Sequence, residues 1–442
     1  MTPADTAIAE APDPVGAIGH EDYYKVATDS LPGAGLGSYS LPDDVRFVIH
    51  KGAGSRLQDV RGRWYIDYVG GAGTLILGHA FPKVIDAIKD QAERGIHFFG
   101  TLNEQCIQLA EDLREIIPCA DRVAFTTTGS EATGYAMRTA RAATGRSKIL
   151  KFEGAYHGNH DYSAFSVTPT ALSNYPQGRP DTGGLPANMA ENVLVSPYND
   201  LDTVRRIVEE HRDDLAAIIV EPLQRIILPD DDFLPGLRKT CDDNDVLLIF
   251  DEVVTGFRLA LGGAQEYFGV LPDIASYGKI VGGGGPLGCV GGKAEYMDLM
   301  NPRNKGRANY SYVNGTLHGN PVAAVAGMAT LAELKKPSFY KDLHALADDV
   351  CKACQEVLDK NNVPAIATGK GSFWQILFMD KPPNNHADVM NSDAAATRAL
   401  DLAQMHEGLY VLPNVRRFVS GVHTGQDIED TVRALDAACK KI

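Results

Sequence analysis

Cysteine is scarce in this chain and long apolar runs are missing from it, and each shortage excludes a class of protein. Seven cysteines among 442 residues are too few, and odd in number, for a scaffold held by disulfides. Cys351 and Cys354 form one Cys-x-x-Cys pair, but neither a second pair nor a histidine pair follows at zinc-site spacing. No run of about eighteen apolar residues is present, as a membrane-spanning helix would require. The sequence therefore predicts no metal site and no membrane span.

The chain has fewer basic than acidic residues, with 42 lysines and arginines against 57 aspartates and glutamates. The net charge of −15 argues against binding to nucleic acid or to an anionic membrane, because both favour a basic surface. Residues 1–19 are acidic and rich in alanine and proline, without the basic and apolar segments of a signal peptide. We therefore predict a mobile N-terminal tail over residues 1–30 and a soluble, cytoplasmic protein.

Short apolar runs alternate with helical patterns from Arg122 onward. The pattern predicts strands at residues 122–125, 148–152, 192–196, 216–220, 246–250, 274–277 and 289–291. It predicts helices between them at residues 130–144, 201–211 and 233–244. Apolar strands separated by helices indicate a parallel sheet that helices cover on both faces. In such sheets, ligands bind beyond the carboxyl ends of the strands.

The two ends of the chain carry a different pattern. Residues 46–67 alternate apolar and polar side chains around a turn at Arg61-Gly62, as a half-exposed hairpin does. Helical patterns cover residues 320–334, 340–360 and 427–441. We predict an α/β fold in which a large domain spans residues 76–330. A smaller α+β domain combines residues 31–75 with residues 331–442.

Two acids, Asp251 and Glu252, follow a long apolar run. A nucleotide hydrolase uses such acids to hold Mg²⁺, but it also needs a Gly-x-x-x-x-Gly-Lys-Ser/Thr loop. Gly278-Lys279 does not complete that loop, because Asp273 occupies the first glycine position and Ile280 follows the lysine. A retaining glycosidase is also excluded, because adjacent strand residues point to opposite faces. Taken alone, the two acids are most simply explained as residues that cap a helix or form a salt bridge.

Three further features lie at predicted strand ends. Thr128-Gly129-Ser130 connects a strand to a helix, where free N–H groups and the positive helix end attract a phosphate. Lys279 lies between an apolar run and four consecutive glycines, and a lysine withdrawn from water becomes a nucleophile for carbonyls. Tyr156 follows another strand and offers a flat face for ring stacking. Each feature alone has a simpler structural explanation, but together with Asp251 they fit pyridoxal 5′-phosphate.

Several segments of the chain match one known pattern. They include Gly129-Ser-Glu-Ala132, Tyr156-His-Gly158, Val220-Glu-Pro-Leu-Gln224, Phe250-Asp-Glu-Val253, Thr255-Gly-Phe-Arg258 and Gly278-Lys-Ile280. With these motifs the chain resembles a class III pyridoxal-phosphate aminotransferase of fold type I, most closely the glutamate-1-semialdehyde 2,1-aminomutase branch. The resemblance extends over nearly the whole chain. It implies a large domain with a mostly parallel seven-stranded sheet, and a smaller α+β domain built from both termini.

The resemblance implies a role for each matching residue. Lys279 forms the covalent link to the cofactor and moves the proton at the substrate carbon. Asp251 pairs with the pyridine nitrogen, and Val253 packs on the ring face opposite Tyr156. The remaining cofactor contacts are Gly129 and Ser130 at the phosphate, His157 in a supporting role, and Thr316, which reaches the phosphate of the partner subunit. A homodimer with shared active sites is therefore expected.

The substrate side departs from the aminomutase branch. That branch carries an arginine after its N-terminal Pro-Gly-Gly, whereas residues 32–40 read PGAGLGSYS and contain none. The change removes a bidentate clamp for a substrate carboxylate. Two other arginines, Arg225 and Arg416, are candidates for that contact. The alternative for each is a solvated side chain or an ion pair with one of the many acids of the chain.

We therefore expect an aminotransferase that moves an amino group from an amine, or a β- or ω-amino acid, to a keto acid or aldehyde. Both substrates are small molecules. The alternative is an intramolecular aminomutase of the glutamate-1-semialdehyde type, and a decarboxylase or racemase would share the same cofactor chemistry. The presence of both Lys279 and Asp251 disfavours a non-catalytic protein that only binds the cofactor. The loop at residues 158–190 is rich in proline and glycine and is predicted to be a mobile lid.

Overall fold

The computed structural model describes residues 22–442, so most of the predicted tail, residues 1–21, lies outside the described residues. The α-helices are α1 (Tyr23–Ser30), α2 (Gly70–Gly73), α3 (Pro82–Arg94), α4 (Glu104–Ile116), α5 (Gly129–Thr144), α6 (Leu201–Glu210), α7 (Phe233–Asp243), α8 (Gly263–Phe268), α9 (Ala294–Met297), α10 (Pro321–Leu334), α11 (Phe339–Lys360), α12 (His386–Asn391), α13 (Ala394–His406) and α14 (Gly425–Cys439). The strands are β1 (Ile49–Ala53), β2 (Arg56–Asp59), β3 (Trp64–Asp67), β4 (Arg122–Thr126), β5 (Lys148–Phe152), β6 (Val193–Ser196), β7 (Leu215–Val220), β8 (Leu247–Asp251), β9 (Ile274–Tyr277), β10 (Gly288–Gly292), β11 (Ile366–Lys370), β12 (Phe373–Leu377), β13 (Leu409–Tyr410) and β14 (Arg417–Phe418). The last eight residues of the predicted tail thus form helix α1. Within residues 22–442, no helix combines the length and apolar character needed to cross a membrane.

Seven strands form the large sheet, in the order β4-β10-β9-β8-β7-β5-β6. Strands β5 to β9 run parallel, and β10 is antiparallel to both of its neighbours. Every residue of β7 and β8 is buried, because these strands are apolar on both faces. Helix α5 covers one face with the small side chains of Ala132, Ala136 and Ala140. The predicted mostly parallel seven-stranded sheet is confirmed.

The two ends of the chain meet in smaller sheets. Strands β1, β2, β3 and β13 form one sheet, in which β13 pairs in parallel with β3. Strands β11, β12 and β14 form a three-stranded antiparallel sheet. The single hairpin predicted over residues 46–67 is instead a three-stranded meander. The additional reversal lies at Gly54, whose φ of +56° is a left-handed conformation that glycine adopts easily.

The predicted cofactor contacts other than Thr316 follow strands of the large sheet. Strand β4 leads to Gly129, β5 to Tyr156, β7 to Glu221 and β9 to Lys279, while Asp251 ends β8. These strands run in one direction, so their carboxyl ends lie at one edge of the sheet. The topology therefore brings together residues that are up to 150 positions apart in the sequence.

Candidate active site

Lys279 follows strand β9 directly after Gly278, with a backbone φ of +52°. Few residues with a Cβ adopt this conformation, and those that do cluster at functional sites. The side chain is largely enclosed. Burial and the charge of Arg416 lower the pKa of its amino group to about 8, against the opposing effect of the Asp251 and Glu221 carboxylates. A substantial fraction of the amine is therefore neutral, and hence nucleophilic, near pH 8.

Asp251 forms a buried pair with His157. Its Oδ2 lies 2.7 Å from Nδ1 of His157, and its Oδ1 accepts the backbone N–H of Val253 at 3.0 Å. The Asp251 side chain is almost fully buried, and His157 is completely so. Within residues 22–442, Nε2 of His157 has no hydrogen-bond partner. Both carboxylate oxygens are thus held in place at the edge of the sheet.

Val253 packs between two glycines. A Cβ placed on Gly129 would lie 2.7 Å from Cγ1 of Val253, and one placed on Gly278 would lie 3.2 Å from the same atom. Both distances are shorter than the carbon–carbon contact of about 3.5–4.0 Å that is usual in proteins. The site therefore requires a residue without a side chain at position 129, and Val253 lies beside the residue that precedes Lys279.

Helix α5 begins with a complete capping box. Oγ1 of Thr128 accepts the N–H of Glu131 at 3.1 Å, and the Glu131 carboxylate accepts the N–H of Thr128 at 3.2 Å. The N-cap residue of α5 is therefore Thr128. Gly129 and Ser130 occupy the first turn, where backbone N–H groups have no acceptor within the helix. These two N–H groups, at the positive end of the helix, suit an anion.

Tyr156 and both candidate arginines gather around Glu221. The N–H of Tyr156 donates to Oε1 of Glu221 at 2.8 Å, and the guanidinium of Arg225 lies 5.4 Å from the centre of the Tyr156 ring. The shortest distances from guanidinium nitrogens to Glu221 oxygens are 3.8 Å for Arg225 and 3.6 Å for Arg416. These distances exceed a hydrogen bond, so Glu221 does not saturate either arginine.

Arg416 lies deeper in the protein than Arg225, with 9% of its side chain exposed against 37%. Its Nη1 donates to the backbone carbonyl of Arg225 at 2.9 Å, which joins the two residues. Burial lowers the pKa of the Arg416 guanidinium to about 10, although the Glu221 carboxylate opposes the shift. Glu221, 3.6 Å from Arg416, follows strand β7 next to Asp251 at the end of β8, so Arg416 lies at the same edge of the sheet as the proposed site.

Comparison with known proteins identifies the family of this chain. Residues 39–424 match the family Aminotransferase class-III, which is most of the chain. The chain belongs to the class-III aminotransferase family. It is 40% identical over 395 residues to a glutamate-1-semialdehyde 2,1-aminomutase of Methanocaldococcus jannaschii, a match that covers 88% of this chain and 90% of that protein. The resemblance inferred from the motifs is confirmed.

Solved structures confirm that this class-III aminotransferase family member has the fold type I architecture. An omega-transaminase from Sphaerobacter thermophilus matches with a TM-score of 0.89 and 33% identity, covering 96% of this chain and 98% of that one. A beta-phenylalanine aminotransferase from Variovorax paradoxus matches with a TM-score of 0.83 and 28% identity, covering 94% and 92%. The expected aminotransferase reaction is supported at the level of the family, whereas the aminomutase relative favours the alternative reaction.

Thr316 stands apart from the other predicted contacts of the class-III family member. The residue is exposed, and so is the neighbouring apolar side chain of Leu317. The single chain does not enclose it, and its contact with a partner subunit stays a prediction.

The structure adds residues to which the sequence assigns no role. Arg258, at the end of a matching motif, is buried, and its Nη1 donates to Oγ of Ser372 at 3.0 Å. Its guanidinium lies 5.6 Å from the ring centre of Phe373 and 4.9 Å from that of Phe418. Arg416 contacts the same two rings at 5.6 Å and 5.8 Å. No sequence signal predicts this cluster, because its members come from segments that are distant in the chain.

Proposed function

We propose that this enzyme moves an amino group on a small amino-carbonyl substrate that carries a carboxylate, with pyridoxal 5′-phosphate as its cofactor. The observation that carries the proposal is the arrangement at the carboxyl edge of the large sheet, where Lys279 and the Asp251–His157 pair follow neighbouring strands and Arg416 lies 3.6 Å from Glu221 at the end of the next strand. The first candidate reaction is the 2,1-aminomutase reaction on glutamate-1-semialdehyde. The 40% identity to the aminomutase of Methanocaldococcus jannaschii supports this choice.

The residues present fit the cofactor. The free N–H groups of Gly129 and Ser130 would bind its phosphate, and Val253 leaves no room for a side chain at position 129. Asp251, held by His157, would face the ring nitrogen and keep it protonated. Lys279 supplies the amine for the covalent link. When bound, pyridoxal 5′-phosphate supplies an electron sink for the negative charge that develops at the substrate carbon.

Lys279 has the properties of the group that moves protons in this site. With a pKa of about 8, its amino group accepts and returns a proton at little cost near neutral pH. By the family resemblance, Tyr156 and Val253 would pack on opposite faces of the cofactor ring and limit the space beside it. Lys279 thus acts first as nucleophile and then, once released, as general base and acid.

Arg416 is the principal carboxylate-binding residue in this proposal. Its guanidinium is nine-tenths buried and no carboxylate of the described chain lies within hydrogen-bond distance of it. A substrate carboxylate would complete its hydrogen bonding by charge-assisted contacts, which are stronger than neutral ones. Arg225 is more exposed and lies over the Tyr156 ring, so it would assist carboxylate binding from the solvent-facing side of the site.

An intermolecular aminotransferase is the second candidate. It would take its amino group from a β- or ω-amino acid or an amine and give it to a keto acid or aldehyde. The observation that favours it is the segment at residues 32–40, which lacks the arginine of the aminomutase branch. The similarity to the omega-transaminase points the same way.

A homodimer with shared sites is part of the proposal. The segment around α4 exposes a group of apolar side chains, namely Ile96, Phe98, Phe99, Leu102 and Ile107. An exposed apolar group of this kind marks an interaction surface. Asn103, within this segment, donates from Nδ2 to the carbonyl of Gly319 at 3.1 Å, which places the surface beside the segment of Thr316. Pairing of two copies through this surface would bring Thr316 to the neighbouring site.

Product analysis of the cofactor-loaded enzyme separates the candidates. Incubated with glutamate-1-semialdehyde alone, an aminomutase converts the whole sample to the isomer with the amino group on carbon 1. An aminotransferase instead consumes about one equivalent of an amine donor, loses the visible absorbance of its cofactor, and stops until a carbonyl acceptor is added. Retention of the visible band with neither reaction would indicate a binding protein. Absence of any cofactor band in the wild type, with Lys279→Ala as the control, would refute the proposal.

A further inference from the structure

The amino group of Lys151, in strand β5, is buried without a carboxylate partner. Only 1% of the residue is exposed, and within residues 22–442 it forms no ion pair. Its Nζ donates to the backbone carbonyls of Ala155 at 3.0 Å and Ser163 at 3.4 Å, and also to that of Phe165. Burial lowers the pKa of this amine to about 7, and its protonated form has three N–H donors, one for each of the three carbonyls.

The three carbonyls belong to the segment that carries Tyr156 and His157. Ala155 directly precedes Tyr156, while Ser163 and Phe165 lie where the chain returns over strand β5. Lys151 therefore holds both ends of the segment at residues 155–165 against the sheet. The middle of the segment has a separate attachment, because Oγ1 of Thr133 donates to the carbonyl of His157 at 2.5 Å.

We infer that Lys151 is a positioning residue, which holds Tyr156 and His157 in place for the cofactor without touching it. The inference rests on the proposed function of those two residues. Because Nδ1 of His157 lies 2.7 Å from Asp251, movement of the segment also changes the surroundings of the Asp251 carboxylate. Loss of the ammonium group would leave three buried carbonyls without donors, which favours local opening.

The neighbouring residue Glu153 serves a different part of the loop. Its carboxylate accepts the N–H of Ser173 at 2.6 Å and the hydroxyl of Tyr175. Glu153 thus attaches the loop predicted to be a mobile lid, residues 158–190, to the end of β5 through Ser173 and Tyr175. Lys151 thus holds the part of the loop that lies near the proposed cofactor site, and Glu153 holds the part beyond it.

The test compares Lys151→Met with Lys148→Met. Lys148 lies in the same strand, and its Nζ pairs with Asp214 at 2.7 Å, away from the segment. In protein without added cofactor, Lys151→Met should increase amide hydrogen exchange at residues 155–165, and Lys148→Met should not. In the loaded enzyme, Lys151→Met should shift the pH midpoint of the cofactor's visible band. Its kcat/KM should fall roughly 10- to 100-fold, since displacement of reacting groups by about 1 Å has effects of that size.

Wild-type exchange and an unshifted spectrum in Lys151→Met, with only a lower melting temperature, would overturn the inference. Lys151→Gln keeps two N–H donors and should show smaller changes of the same kind. Should neither variant fold while Lys148→Met does, Lys151 serves folding and the inference is wrong. A wild type that binds no pyridoxal 5′-phosphate would refute the proposed function, whereas the exchange comparison would still test the role of Lys151.

Discussion

A methyl group at position 129 tests the cofactor site directly. The Cβ of a Gly129→Ala variant would lie 2.7 Å and 2.9 Å from the two methyl groups of Val253. Ordinary contact begins at about 3.5 Å, so Val253 or the start of helix α5 must move by roughly 0.8 Å. Overpacking of this kind costs about 1–3 kcal/mol, which the better helix propensity of alanine, about 1 kcal/mol, partly offsets. The expected loss of stability is therefore small, but the displacement falls within the binding site.

Binding of pyridoxal 5′-phosphate is accordingly the sensitive measurement. We expect Gly129→Ala to weaken it roughly 10- to 100-fold in an absorbance titration, because misplacement by about 1 Å has effects of this order. Gly183→Ala is the matched control, since its Cβ would meet no atom within 4 Å. Adding Val253→Ala to Gly129→Ala removes the clash and should restore part of the affinity. Equal affinities of the Gly129→Ala and Gly183→Ala proteins would refute the placement of the phosphate at helix α5.

Three further predictions concern the lysine, the arginines and the surface. The rate at which the apo-protein captures pyridoxal 5′-phosphate should rise with pH through a midpoint near 8, since only the neutral amine of Lys279 reacts. A midpoint near about 10.4, the ordinary lysine value, would contradict this. Arg416→Ala should raise the KM for a carboxylate substrate roughly 10- to 100-fold, because a charged hydrogen bond contributes about 1.5–3 kcal/mol. Arg225→Ala should raise it less. An unchanged KM in both variants would refute the assignment of these arginines to the substrate carboxylate. Leu102→Asp should convert dimers to monomers in a sedimentation experiment. Leu271→Asp should not, because Leu271 is an exposed apolar residue outside the α4 segment. A monomeric wild type would contradict the proposal of active sites shared between two subunits.

The sequence predicts the meeting of Asp251 and Lys279 because parallel strands have one common carboxyl edge. It does not predict that His157 is the partner of Asp251, since that contact joins residues 94 positions apart and depends on how the intervening loop turns. The N-cap of helix α5, by contrast, has a local sequence signal. Thr128-Gly-Ser-Glu131 has the Thr-x-x-Glu spacing of a capping box, and both of its hydrogen bonds are present in the structure.

The arginines illustrate what a linear pattern leaves open. From sequence, Arg225 and Arg416 are equally compatible with ligand binding and with pairing to an acid. In the structure, one acid, Glu221, lies near both of them and hydrogen-bonds to neither guanidinium. Their contact is a tertiary one between segments 191 residues apart, so no local spacing encodes it.

The charges around Lys279 indicate which substrates suit the site. Arg225 and Arg416 carry two positive charges against the single carboxylate of Glu221, while the Asp251 carboxylate is already engaged by His157. The proposed phosphate site lies at helix α5 and does not use these arginines. Arg225 is partly exposed to solvent, but Arg416 is buried and no carboxylate of the described residues hydrogen-bonds to it, which is costly for a buried charge. A substrate carboxylate would balance it, whereas a simple amine would leave it unpaired, so amines without a carboxylate should be the poorer donors.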